Sequence, residues 1–283
     1  AYVNFYISPT GSDDNPGTLE QPFATIQRAQ QEIRFLKQNE PAEPILVFLR
    51  GGQYDLTEPL VFTSQETGSE NAPITFKAFE NEMPVVNGGK KIFGWKQRKN
   101  GVWSTKISEV KSGDWNFIQL YVNGELRRRA RTPNEGFYRV AGFPDGGIEI
   151  GYHTDCQRFE FAEGDINPNW TNLDDVKVIV YHFWTDSHLP IQSIDTDSNI
   201  VTFKHKAGKV FTDDFSSNGA RYIVEKVYKA LDQPGEWYLN RKTGELFYIP
   251  YPDEDMTTAK VIAPVLPEFI RFEGDPLNRN YVE

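Results

Sequence analysis

The sequence predicts an all-β protein in which short β-solenoid coils flank an inserted antiparallel β-sandwich. Three observations carry that expectation. Residues 1–92 alternate short apolar, β-branched runs with Gly, Asn, Asp and Pro clusters. Runs this short, with no helix between those after residue 45, suit strands that stack on their equivalents one coil along. Residues 93–263 instead hold longer alternating runs and hairpin signals, which argue for a sandwich. From 264 to 283 the short strand-and-turn texture returns at 269–274.

The elements follow in order. A strand around Phe5-Tyr6-Ile7 leads into a tight turn containing Gly11, Asp13, Asn15 and Pro16. Phe23, Ile26, Ala29, Ile33 and Leu36 then recur at helical spacing, so this helix covers something apolar on one side. Strands are expected at Ile45–Leu49, Leu60–Thr63, Ile74–Ala78 and 85–87, separated by turn clusters such as Gly51-Gly52 and Gly88-Gly89. In the middle stretch the run 117–122 meets Asn123-Gly124, a strong short hairpin signal. Further strands are expected at 177–183, 191–194, Ile200–Phe203 and 222–227, with a last hairpin from Glu236 to Ile249. A solenoid coil cannot bury its apolar face alone, and Tyr281-Val282-Glu283 looks like the start of another strand and not a cap. The chain therefore reads as the N-terminal part of a longer protein, the alternative being a short protein capped by its own sandwich.

The opening order of strand, turn, helix and strand resembles secreted right-handed parallel β-helix proteins, whose first helix plugs the open end of the coil. The middle stretch sharpens the resemblance. Leu120-Tyr121-Val122-Asn123-Gly124 with Ala130-Arg131-Thr132-Pro133-Asn134, and Pro234-Gly235-Glu236-Trp237-Tyr238-Leu239 with Gly244-Glu245-Leu246-Phe247-Tyr248, are similar to motifs of β-helix glycoside hydrolases of families 120 and 141. The final acid usual in that hairpin is Asn240 here. The resemblance implies a right-handed parallel β-helix with N-terminal coils and a capping helix (1–92), an inserted antiparallel β-sandwich (93–263), and a return to the β-helix (264–283). It also implies catalytic acids on later coils, beyond Glu283, so that residues 1–283 alone are expected to be inactive.

Composition bounds the partners. Lys plus Arg total 30 against 40 for Asp plus Glu, giving a net charge of −10, which disfavours nucleic acid. Acidic polysaccharides are disfavoured too, unless a local basic patch overrides the global sign. Aromatic residues reach 14%, as where sugar faces stack on rings, although strands favour aromatics in any case. No apolar run is long enough to span a membrane. Export to a secreted or periplasmic location, with the signal peptide removed, is expected from the way Ala1 abuts the first strand. The sequon Asn169-Trp170-Thr171 matters only in a eukaryotic secretory host. Cys156, the single cysteine, excludes internal disulfides and reads as a small buried hydrophobe.

The segment Tyr181-His182-Phe183-Trp184-Thr185-Asp186-Ser187-His188 places a ring, an acid and an imidazole near a strand end, as a sugar subsite requires. Trp184, Asp186 and His188 are the substrate-binding candidates there. The alternative keeps Trp184 in the core, with Asp186 and His188 satisfying turn backbone. Arg127-Arg128-Arg129 and Arg131 form the one basic cluster. Of these, Arg129 and Arg131 are expected to grip a sugar carboxylate or sulfate, or else to pair with nearby acids. Asp186 and Glu236 stand out among the acids, but no local signature selects the two carboxyls that glycoside hydrolysis needs. Asp13-Asp14-Asn15 lacks the liganding Glu of a calcium loop and suits an Asx turn. His182 and His188 do not match a helical zinc pair, so no metal or cofactor is proposed. The function expected is an exported glycoside hydrolase acting on complex glycans, with its own later β-helix coils as partner. The alternatives are a β-helix polysaccharide lyase and a non-catalytic glycan-binding or adhesion protein.

Overall fold

The structure is a computed structural model that describes residues 2–40, 42–275 and 277. It is mostly β, with few helices and several sheets. The expected strand start at Tyr281-Val282-Glu283 lies outside the described residues. The chain divides into two compact units, one of residues 1–90 with 264–283 and one of residues 91–263.

In the first unit strands pair in parallel, with an isolated antiparallel bridge between Ser69 and Ala72. Val3–Ile7 lies beside Ile45–Leu49, which lies beside Ile74–Ala78. Gly52–Asp55 pairs with Pro84–Asn87. Leu60–Thr63 pairs with Ile270–Glu273, placing Leu60 opposite Ile270 and Phe62 opposite Phe272. Like side chains consequently stack across strands: Tyr6 on Phe48 at 5.1 Å and Phe62 on Phe272 at 5.5 Å between ring centroids.

The helix Ile26–Asn39 begins where Thr25 accepts a hydrogen bond from the Arg28 amide, satisfying one of the free donors of the first turn. Asp13 completes the start by accepting from the Ala24 and Thr25 amides, each at 2.9 Å, and from the Thr25 hydroxyl. That carboxylate is a structural clamp between turn and helix. Ile26, Ala29 and Ile33 are buried against Ile7, Phe23 and Val47, the face that the apolar period foretells. Gly17 adopts φ +80°, and a Cβ there would stand 2.4 Å from the Phe23 ring, so the turn needs glycine for both space and conformation.

The second unit holds two sheets. The eight-stranded sheet contains Leu120–Val122, Glu125–Arg129, Glu236–Asn240 and Glu245–Tyr248 as consecutive neighbours. The hairpin joining Leu120–Val122 to Glu125–Arg129 turns at Asn123 and Gly124, with φ of 53° and 85°, the pair of positive values that a two-residue I′ turn requires. The expected strand 117–122 starts only at Leu120; Phe117 is buried between Trp115 and Trp237 instead. The seven-stranded sheet is centred on Arg221–Glu225, Lys177–Tyr181 and Asp186–Asp195, all antiparallel.

A sandwich buries one apolar layer between facing sheets. Here the buried apolar residues form two clusters, each drawn from one sheet and the loops over it: Leu120, Trp237, Leu246 and Tyr248 in one, Phe159, Val178, Leu189 and Tyr222 in the other. The sheets are joined at Ala130, whose amide donates to Trp237 O and whose carbonyl accepts from the Lys226 amide.

Candidate functional site

One end of the seven-stranded sheet gathers exposed aromatic rings and polar groups. The strands Lys177–Tyr181 and Asp186–Asp195 are joined through residues 182–185, closed by a hydrogen bond from the His182 amide to Thr185 O at 2.9 Å. Trp184 sits in this connection at 64% exposure and Phe183 at 55%. This settles the sequence alternative against a core position for Trp184. The two rings meet edge to face at 4.7 Å. Phe183 also faces Phe215 at 5.9 Å, and its amide is held by the Tyr152 hydroxyl. An open depression of about 450 Å³ is lined by Tyr181, Arg221 and residues 182–186.

Strand register assigns the polar groups to one face. Tyr181 is paired with Asp186 on one neighbour and with Arg221 on the other, while Ile179 is paired with His188 and Ile223. Val178, Val180, Leu189 and Tyr222 alternate with these and point into the core cluster, so Arg221, Tyr181, Asp186 and His188 share the opposite face. On it, Asp186 and His188 approach to 3.4 Å. Phe137 packs against Tyr181 at 5.1 Å and lies beneath the Arg221 guanidinium at 5.4 Å.

His182 lies behind this surface, 4% exposed. Its Nε2 is 2.9 Å from the Ser187 hydroxyl, which itself donates to Ala207 O. A hydroxyl has one proton to give, so Nε2 carries the ring proton and donates to Ser187. Nδ1 is then a buried acceptor without a partner. Burial, reinforced by the Lys209 ammonium and opposed by Asp186, pushes the His182 pKa down to about 4. The ring is therefore neutral at pH 7 and is not a charged ligand of the site.

The arginine cluster is built differently. Arg127, 8% exposed, donates to the Tyr248 hydroxyl and pairs with the buried Glu254 at 2.5 Å. Arg128 reaches Asn134 O and Glu236. Arg129 grips Glu225 at 2.6 Å and donates to Ile118 O. Arg131 donates to Pro133 O and Gly136 O, holding the loop that follows the cis Thr132-Pro133 bond. Arg129 and Arg131, expected to grip a sugar carboxylate or sulfate or else to pair with nearby acids, both have internal acceptors: Glu225 and Ile118 O for Arg129, two loop carbonyls for Arg131. Glu236 is fully buried, accepts from the Asp232 and Gln233 amides and from Arg128, and is a structural acid. Cys156 is 1% exposed, and burial pushes its thiol pKa up, as for an inert small hydrophobe.

Phe137, Lys209, Phe215 and Arg221 also reach this end of the sheet, and none belongs to a local motif. Only strand register, itself a product of the fold, brings Arg221 beside Tyr181.

The family described as the GH141 insertion domain matches residues 100–251, more than half of the chain. This chain belongs to that family. The matched span contains the Trp184 end and the arginine strand alike. A solved structure described as a glycoside hydrolase shares the fold of this chain, with a TM-score of 0.76 and 21% identity over 96% of this chain and 48% of its own. The protein YwoF of Bacillus subtilis (strain 168), described as uncharacterized, is 36% identical over 83 residues, 29% of this chain and 15% of its own. The pectate lyase PEL9 of Emericella nidulans is 32% identical over 86 residues, 30% of this chain and 18% of its own. The chain thus spans about half the length of the solved relative and under a fifth of each curated one.

Proposed function

We propose that the protein is an exported glycoside hydrolase acting on complex glycans, and that the end of the sheet bearing Trp184, Asp186 and His188 contacts the sugar. Membership of the GH141 insertion-domain family supports the enzyme class. The observation that carries the site is Trp184 itself, a large ring 64% exposed beside a paired acid and imidazole. Rings left in water at this exposure offer a flat apolar face, while Asp186 and His188 offer acceptors and donors to hydroxyls. Export would bring such an enzyme to a polymeric glycan that does not itself cross a membrane.

In this reading the stacked parallel strands of the first unit are the opening coils of a right-handed parallel β-helix capped by the helix Ile26–Asn39. The catalytic carboxyl pair is placed on coils beyond Glu283, in keeping with the half-length match to the solved glycoside hydrolase. The match to a pectate lyase favours a second reading, β-elimination. Products separate the two, because elimination leaves a new C=C bond that absorbs ultraviolet light and hydrolysis does not.

The site is tested by Trp184→Ala. Loss of the stacking face should weaken oligosaccharide binding about ten-fold, or ~1.4 kcal/mol. Unfolding free energy should change by less than about 0.5 kcal/mol, as for other surface positions. Intact affinity would remove the site from this end of the sheet.

A further inference from the structure

The geometry points to an acidic sugar at this site, with Arg221 as the group that receives a uronic acid carboxylate; the inference rests on the sugar-contacting role proposed for the Trp184 end. Arg221 lines the depression together with Trp184 and Asp186. Among the described residues its guanidinium makes no hydrogen bond, and its Nε is buried without an acceptor. The nearest carboxylate, Asp213, stands 4.0 Å from Nε, and its other oxygen is held by Arg139 at 2.8 Å. Arg139 is further occupied by Gly219 O. The Arg221 side chain is nonetheless 44% exposed, so its terminal N–H groups, which make no hydrogen bond among the described residues, face solvent and can take a ligand carboxylate in the planar, bidentate geometry of guanidinium. The guanidinium carbon lies over the Phe137 ring, 5.4 Å from its centroid, a cation–π contact that helps position the side chain.

The rest of the surface is polarised to match. Lys209, the second cation, lies 5.9 Å from the Trp184 ring and has no ion pair among the described residues. Asp186 stands two strands from Arg221, across Tyr181, a separation of about 10 Å at ordinary strand spacing. A pyranose stacked on Trp184 can then direct its carboxylate to Arg221 and its hydroxyls to Asp186. A carboxylate held at Arg221 interacts chiefly with charges within the screening length of physiological salt, so the chain's net charge of −10 does not by itself exclude an acidic sugar here.

The test is calorimetric titration of the protein with three probes: a galacturonic acid trimer, the methyl ester of that trimer, and a neutral galactose trimer. The acid should bind about ten-fold more tightly than its ester. Arg221→Gln should fold normally, since the guanidinium makes no hydrogen bond in the fold, and should bring acid and ester within about two-fold of each other. Arg221→Lys, which keeps the charge without the fork, should also lose most of the preference. Trp184→Ala should weaken all three probes together and leave their ratio intact. Equal binding of acid and ester by the unaltered protein, or a preference retained in both Arg221 variants, overturns the acidic-sugar assignment and leaves the site standing. Unchanged affinities in Trp184→Ala, or no binding of any probe, overturn the site and the assignment with it.

Discussion

The arginine strand and the Trp184 end of the same unit both carry charge and aromatic rings, yet the fold uses them in opposite ways. Arg127, Arg128, Arg129 and Arg131 all have internal acceptors. Arg127 and Arg128 are tied to Glu254 and Glu236, and Arg129 reaches across to Glu225 of the other sheet, while Arg131 holds loop carbonyls. Around Trp184 the partners run out: among the described residues Arg221 Nε and His182 Nδ1 have no hydrogen-bond partner, and Trp184, Phe183 and Phe215 are more than half exposed. Cation density in the sequence therefore says little about binding. What distinguishes a recognition surface is unsatisfied capacity in three dimensions.

The sharpest way to break this contrast is Arg127→Met. The change strands Glu254, whose side chain is 6% exposed, as a buried charge without its cation. Removing one partner of such a pair costs about 3–5 kcal/mol, so urea unfolding should shift strongly while the remaining folded protein keeps its sugar affinity. Unchanged stability with lost affinity would mean that the arginine strand, and not the Trp184 end, is the binding surface.

A smaller effect sharpens the other side. Folded His182 stays neutral down to about pH 4, whereas an unfolded histidine takes a proton near pH 6.5. Between these values the unfolded chain binds more protons, so stability is fully present above about pH 6.5 and falls as pH drops through about 4. The loss attributable to this ring is on the order of 3 kcal/mol. His182→Gln should flatten that part of the stability profile, and an unaltered acid limb would show that the ring is protonated in the fold. Smaller still is the ~1.4 kcal/mol of binding expected to vanish in Trp184→Ala.

Much of this was legible before folding. The helix face set by Ile26, Ala29 and Ile33, the strands Ile45–Leu49 and Ile74–Ala78, and the Asn123-Gly124 hairpin follow from period and turn chemistry, which are local properties. The exposure of Trp184 was open in the sequence, because an aromatic residue at a strand end suits a core as well as a surface. The fate of the arginines was hidden for a related reason. Arg127 meets Glu254 and Arg129 meets Glu225 across long stretches of chain, and no spacing rule links them. Arg221 illustrates the same limit in reverse. It lies beside Tyr181 only through antiparallel register, and its lack of acceptors is a property of the assembled sheet. The divided apolar core was hidden too, since alternation shows that a strand has a buried face without showing what covers it.

The most direct measurement is an NMR titration of the labelled protein with the galacturonic acid trimer, following backbone amides and indole N–H resonances. The account predicts that the Trp184 indole and the amides of Phe183, Asp186, His188 and Arg221 shift with the same saturation curve, while those of Arg127, Arg128, Arg129 and Arg131 stay in place. Shifts confined to the arginine strand, with Trp184 unmoved, would contradict it.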